Sequence, residues 1–142
     1  MMRTKILGLI TFVLFAALPL AAQHAPVEKG APEIEATRLH DQLEQGEKLL
    51  VIDVRTPQEF ETGHVPGAVN VPVDEIGQKI GEMKLAKDTT IVTICEHGGR
   101  SSRAANELHK MGYKTTSFCR MDTWRDKNYK VEKGDGKPKK SA

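Results

Sequence analysis

Apolar residues in this chain fall into two alternating patterns. Short, nearly unbroken apolar runs read as strands buried on both faces, the mark of a parallel sheet. These are Leu49-Leu50-Val51-Ile52, Ala68 to Val71 (closed by Pro72) and Thr89 to Ile94. Between them, apolar residues recur at helical spacing: Ile34, Leu39 and Leu43 within Glu33–Gln45, then Ile76 and Ile80, then Ala104, Ala105, Leu108 and Met111. Gly46 and Gly112 are placed to end the first and last of these helices. Thr56-Pro57-Gln58-Glu59 combines an N-cap, a proline at the first helical position and a capping-box glutamate, and the short helix it opens stops near Gly63. Asp74 is placed to cap the helix that carries Ile76 and Ile80. A weaker strand over Lys114–Phe118 and a short helix over Asp122–Lys127, carrying Trp124, complete the pattern. Strands alternating with helices predict an α/β domain: a mostly parallel sheet of about five strands with helices on both faces.

The first segment stands apart. Arg3 and Lys5 precede an apolar run from Ile6 to Leu20, and Ala21-Ala22 follows. This is the three-part layout of a secretory signal peptide over residues 1–22. The run is short for a membrane span and no basic stop follows it, so stable insertion is not expected once it is cleaved. Residues 23–32 read as a flexible leader, 33–132 as the folded domain, and 133–142 as a disordered basic tail. The expected location is periplasmic or secreted. Removing residues 1–22 takes away Arg3, Lys5 and no acid, so the formal charge falls from +2 to 0. The basicity belongs to the ends, and nothing points to nucleic acid.

Candidate chemistry concentrates where the strand Ile91–Ile94 runs into Cys95-Glu96-His97-Gly98-Gly99-Arg100-Ser101. A strand, a tight loop and a helix start put a nucleophile at the carboxyl edge of a parallel sheet, facing the free N–H groups of the helix. An inert core cysteine would account for Cys95 alone. It would not account for Gly98 and Gly99, which let backbone amides curl inward into an anion nest, or for Arg100. Helical periodicity resumes at Ser101. No His, Cys and Asp cluster has metal-ligand spacing, so neither metal nor cofactor is expected.

These residues resemble the single-domain rhodaneses, a sulfurtransferase family, over roughly Glu33 to Val131. The resemblance rests on three stretches. The first is Ile52-Asp53-Val54-Arg55 with Glu59-Phe60, Gly63-His64-Val65-Pro66-Gly67-Ala68, Asn70 and Pro72. The second is Cys95 with Gly98, Arg100 and Ser101; the third is Gly112-Tyr113 followed by Trp124. It implies a rhodanese-like three-layer sandwich and a persulfide mechanism: Cys95 takes the outer sulfur of a donor such as thiosulfate and passes it to a thiol or to cyanide, in a monomer. Amides of residues 96 to 100 then stabilise the anion, and Arg100 braces the loop and adds positive potential. By the same resemblance Asp53 and Arg55 bracket the site, with Arg55 available to an anionic donor. Glu59 reads as a helix cap and His64 as a hydrogen-bonded turn residue.

Two features depart from the family pattern. Glu96 puts a carboxylate beside Cys95, where it opposes an anion; a protonated His97 would offset it. Cys119-Arg120 stands where relatives carry a Gly-Gly pair, in a turn beside the active loop. Cys119 is then a resolving thiol, a disulfide partner of Cys95, or a lone thiol packed under Trp124; Arg120 supplies charge at the rim. Three rival functions follow: a periplasmic thiol-disulfide redox protein using both cysteines, a non-catalytic binding module, and a phosphatase of related fold. The phosphatase signature has five residues between cysteine and arginine; here four separate Cys95 from Arg100, a loop suited to one sulfur atom.

Overall fold

The computed structural model describes residues 30–135. The expected signal peptide, leader residues 23–29 and tail residues 136–142 lie outside them. Five helices and four strands follow in the order α1 (Ala36–Glu44), β1 (Leu50–Asp53), α2 (Pro57–Thr62), β2 (Val69–Asn70), α3 (Ile76–Met83), β3 (Thr90–Cys95), α4 (Gly99–Lys110), β4 (Thr115–Arg120) and α5 (Met121–Asp126). The sheet order is β2-β1-β3-β4, and every pairing is parallel.

Alternation along the strands divides the core in two. Val51, Val92, Ile94 and Cys119 face Ala36 and Leu39 of α1, Phe60 of α2 and Trp124 of α5. Ile52, Ile91 and Cys95 face Ile76 and Ile80 of α3 and Ala104 and Leu108 of α4. Helices on both faces of one sheet make three layers. Ile52, Ile94 and Leu108 are fully buried, and burying each such side chain contributes about 1.5–3 kcal/mol.

The sheet has four strands among the described residues, not about five. The stretch predicted to open the first helix pairs with β4 instead: Ile34 N–H donates to Phe118 O at 2.8 Å, and Phe118 N–H to Pro32 O at 3.0 Å. That single bridge covers the edge without becoming a strand, and α1 begins only at Ala36. Asp74 caps nothing. The chain enters α3 through a 3₁₀ turn over Val73–Glu75, whereas an N-cap needs extended backbone, and Asp74 pairs with Arg103 at 2.7 Å. The start of the predicted tail is tied down, since Gly134 N–H donates to Glu61 O at 3.0 Å. The helix stops behave as the sequence predicts. Gly46 (φ +69°) and Gly112 (φ +92°) take the left-handed turn, and the following residue returns its N–H three positions inside the helix end, Glu47 to Gln42 O and Tyr113 to Leu108 O.

Candidate active site

The register of the sheet brings Asp53, Cys95 and Arg120 to the same carboxyl edge. Cys95 is 1% exposed. Its Sγ accepts from the N–H of Gly98 and the N–H of Ser101, each at 3.2 Å. The thiol donates to Ser101 Oγ, also at 3.2 Å, and that hydroxyl faces the carbonyls of Gly98 at 3.1 Å and Cys119 at 3.3 Å. The amides of Gly99 and Arg100, in the first turn of α4, have no acceptor among the described residues. The helix begins at Gly99 rather than Ser101, so only Glu96, His97 and Gly98 form the loop. The sulfur therefore sits against the first turn of a twelve-residue helix.

Gly98 makes that turn possible. Its φ is +95°, and a Cβ there would lie 3.3 Å from Arg120 Cγ and 3.4 Å from Phe118 Cε2. A side chain would meet both the unfavourable backbone region and the floor of the loop.

Around this cradle each arginine is already matched by a carboxylate. Arg55, 1% exposed, grips Asp53 (Nη2–Oδ2 2.7 Å, Nε–Oδ1 3.0 Å) and donates to Gly63 O at 2.7 Å. Asn70 Nδ2 ties the same corner to the carbonyls of Asp53 and Arg55, at 2.9 Å each. Arg55 is thus a buried bracket, and its remaining nitrogen reaches Glu96 at 3.5 Å. Arg100 braces the loop as the resemblance implies, but through an ion pair that uses up its charge. It grips Glu59 through two 2.8 Å bonds, each side chain 36% exposed. That bond to Arg100 is the main reason Glu59 ionises down at about 2, and the pair braces α4 against α2 while Glu59 also closes the capping box with Thr56.

Glu96 does not confront Cys95 unopposed. Its carboxylate takes both guanidinium arms of Arg125 (Nη2–Oε2 3.0 Å) with Arg55 behind. Arg125 holds its pKa below the usual carboxylate range. The predicted neutraliser, His97, pairs elsewhere: its Nδ1 lies 3.0 Å from Asp122 Oδ2. Arg120 clamps Asp122 through Nη2 at 2.6 Å, which draws the Asp122 pKa down to about 2, so Arg120 stands at the rim with its charge matched. Sequence reasoning missed Arg125 and Asp122 because they reach the loop from α5, 29 and 25 residues on.

Cys119 is not beside Cys95. It pairs in register with Ile94, one residue out of step, so it points to the opposite face of the sheet and packs with Trp124. Both cysteines are free and buried, and burial pushes the Cys119 thiol up to about 11. This placement agrees with a lone thiol packed under Trp124 and gives no support to a resolving or disulfide role. His64 is hydrogen-bonded as expected, and it is also fully buried. Its Nδ1 donates to Phe60 O at 2.9 Å and its ring stacks on Phe60 at 3.6 Å. Among the described residues no three His, Cys, Asp or Glu side chains group to hold a metal. A cavity of about 610 Å³, lined by Glu33, Arg38, Thr90 and Lys114 among others, lies at the amino ends of β3 and β4, away from Cys95.

A family model described as the rhodanese-like domain matches residues 35–122. This chain belongs to the rhodanese-like family. Among curated relatives, the thiosulfate sulfurtransferase PspE of Escherichia coli K12 is 37% identical over 62 residues, covering 44% of this chain and 60% of that protein. A sulfurtransferase of Allochromatium vinosum is 35% identical over 81 residues, covering 57% and 74%. Among solved structures, human single-domain sulfurtransferase TSTD1 superposes with a TM-score of 0.62 at 25% identity, covering 69% of this chain and 98% of that one. A rhodanese-related protein from Thermoplasma volcanium gives 0.62 at 27%, covering 71% and 97%. The chain spans between 27% and 60% of the length of five of the curated relatives it matches, PspE among them.

Proposed function

We propose that the protein is a sulfurtransferase that works through a persulfide on Cys95. The observation that carries this reading is the cradle itself, with two backbone amides and one hydroxyl all 3.2 Å from Sγ. Ionised Sγ accepts from that hydroxyl as well. It attacks the outer sulfur of thiosulfate; the S–S bond of the donor breaks, sulfite leaves with the electron pair, and Cys95 carries a persulfide anion. The amides of Gly99 and Arg100, in the same first turn of α4, are available as donors for the outer sulfur. In the second half, cyanide attacks that sulfur, thiocyanate leaves, and Cys95 returns as thiolate; a thiolate acceptor leaves instead as its own persulfide. Removing one such donor from comparable sites costs about 2.7–4 kcal/mol in rate, so the cradle supplies much of the driving force. The buried Asp53–Arg55 pair, tied in by Asn70, holds the carboxyl end of β1 beside the loop.

The apolar stretch Ile6–Leu20 supports export before the enzyme acts, and the mass of the protein recovered outside the cytoplasm tests it. For the reaction, the purified protein is treated with thiosulfate and weighed by mass spectrometry. A gain of one sulfur atom localised to Cys95 is the expected result. A thiosulfate-treated protein of unchanged mass, with no thiocyanate formed from cyanide, removes the reading, and hydrolysis of a phosphate ester would replace it with the phosphatase alternative.

A further inference from the structure

Resting on the sulfurtransferase reading, we propose that His97 is the general base that takes the proton from an incoming thiol acceptor, held for that task by Asp122. His97 immediately precedes Gly98, whose amide touches Cys95 Sγ at 3.2 Å. Its side chain is 76% exposed, at the solvent side of the loop. Surface histidines usually swing freely, but this one is fixed at one nitrogen: Nδ1 meets Asp122 Oδ2 at 3.0 Å.

Asp122 is itself held from several directions. Arg120 contacts both of its oxygens, at 3.1 and 2.6 Å, and Thr123 N–H donates to Oδ1 at 2.6 Å. The Asp122 amide donates to Glu96 O at 3.2 Å, the residue between Cys95 and His97. The carboxylate, the loop and the ring are one unit. A carboxylate on Nδ1 fixes the tautomer and leaves Nε2, on an exposed ring, as the basic nitrogen. The other charged groups at the loop, Glu96, Arg125, Arg120 and Arg55, are matched among themselves and with Asp122 and Asp53.

The step balances as follows. Nε2 of neutral His97 takes the S–H proton of the acceptor thiol. The resulting thiolate attacks the outer sulfur of the Cys95 persulfide. The Cys95 S–S bond breaks, its electron pair returns to Sγ under the Gly98 and Ser101 amides, and the acceptor leaves as a persulfide. Imidazolium then releases its proton to water. An acceptor that arrives already ionised has no use for the base, and this provides the test.

Wild type, His97→Gln and Asp122→Asn are loaded with thiosulfate, and the Cys95 persulfide is verified by mass. Sulfur transfer is then timed to 2-mercaptoethanol, an aliphatic thiol largely protonated at pH 7, and to 5-thio-2-nitrobenzoate, an aromatic thiol already ionised there. Positioned general bases contribute about 10²–10⁴-fold. With a thiol acceptor that ionises partly unaided, His97→Gln is expected to lower the 2-mercaptoethanol rate roughly 10- to 100-fold more than the aromatic rate. Asp122→Asn should act in the same sense but less. Equal losses on both acceptors, or none, would overturn the proposal; His97→Asn, with the ring also gone, must repeat the selective loss. Loaded wild type with equal losses in the variants defeats the base alone, whereas wild type that never loads defeats the sulfurtransferase reading and this inference with it.

Discussion

Glu59→Gln isolates one charge that serves both the fold and the site. In the folded chain Arg100 draws the Glu59 pKa from 4.5 to about 2. Taken without screening, that change would correspond to about 3 kcal/mol. Both side chains are 36% exposed, so water and salt screen the pair, and the realistic contribution is about 1–1.5 kcal/mol. Glutamine keeps most of the capping box with Thr56, because the amide oxygen still reaches back to the N-cap amide. The variant is therefore expected to lose about 1–1.5 kcal/mol at pH 7, which lowers Tm by roughly 4–10 °C for a domain of about 100 residues. The pH dependence has a definite sign. The folded pKa is depressed, so the wild-type advantage is full above the unfolded value of 4.5 and fades as pH falls toward about 2. Thermal melts of both proteins at pH 7, 5, 4 and 3 measure it. A gap that stays constant from pH 7 to pH 3, or one absent at pH 7, would show that charge at Glu59 is not what ties α2 to α4.

Other expectations follow from the same contacts. Cys95→Ser should form no persulfide and no thiocyanate, as read by mass and by colour with iron(III). Gly98→Ala forces a Cβ to 3.3 Å from Arg120 Cγ at φ +95°; urea titration should show a loss of about 1–2 kcal/mol from the left-handed backbone, and stopped-flow loading should slow at least ~10-fold because the amide leaves Sγ. Arg125→Ala frees the Glu96 carboxylate beside Cys95, so its thiosulfate kcat/KM should drop and the drop should shrink in high salt. Cys119→Ala should leave the yield of Cys95 persulfide at the wild-type level, and mass spectra of the folded wild type after mild oxidation should show no Cys95–Cys119 bond.

Much of the fold could be read from local pattern because local rules decide it. Two-sided apolar runs gave β1 and β3, the Thr56–Glu59 box gave α2, and Gly46 and Gly112 marked the ends of α1 and α4. The errors lie where a distant partner decides. Ile34 fits the helical spacing of Leu39 and Leu43 but is drawn off by the open edge of β4. Cys119 looked adjacent to the site by position in the chain, but its face depends on register, and a shift of one residue sends a side chain through the sheet. The cradle was foreseen in kind from Gly98 and Gly99, while its actual donors to Sγ, the amides of Gly98 and Ser101, follow from α4 starting two residues earlier than its periodicity suggested.

The arrangement of charge bears on why the amides matter. Four arginines, Arg55, Arg100, Arg120 and Arg125, meet four carboxylates, Asp53, Glu59, Asp122 and Glu96, at or near the loop. Each cation's field is largely cancelled within a few ångströms. These side chains therefore hold the loop's shape rather than charge the site, and the Cys95 anion of the proposed mechanism would rely chiefly on groups that no carboxylate opposes. Those are the loop amide of Gly98 and the helix amide of Ser101 on Sγ, with Gly99 and Arg100 still open. Fixed main-chain dipoles need no reorganisation as charge moves from one sulfur to the next. It follows that salt should scarcely change the rate at which a loaded enzyme passes sulfur to an uncharged acceptor, and that distorting the loop should harm transfer more than deleting any one rim charge.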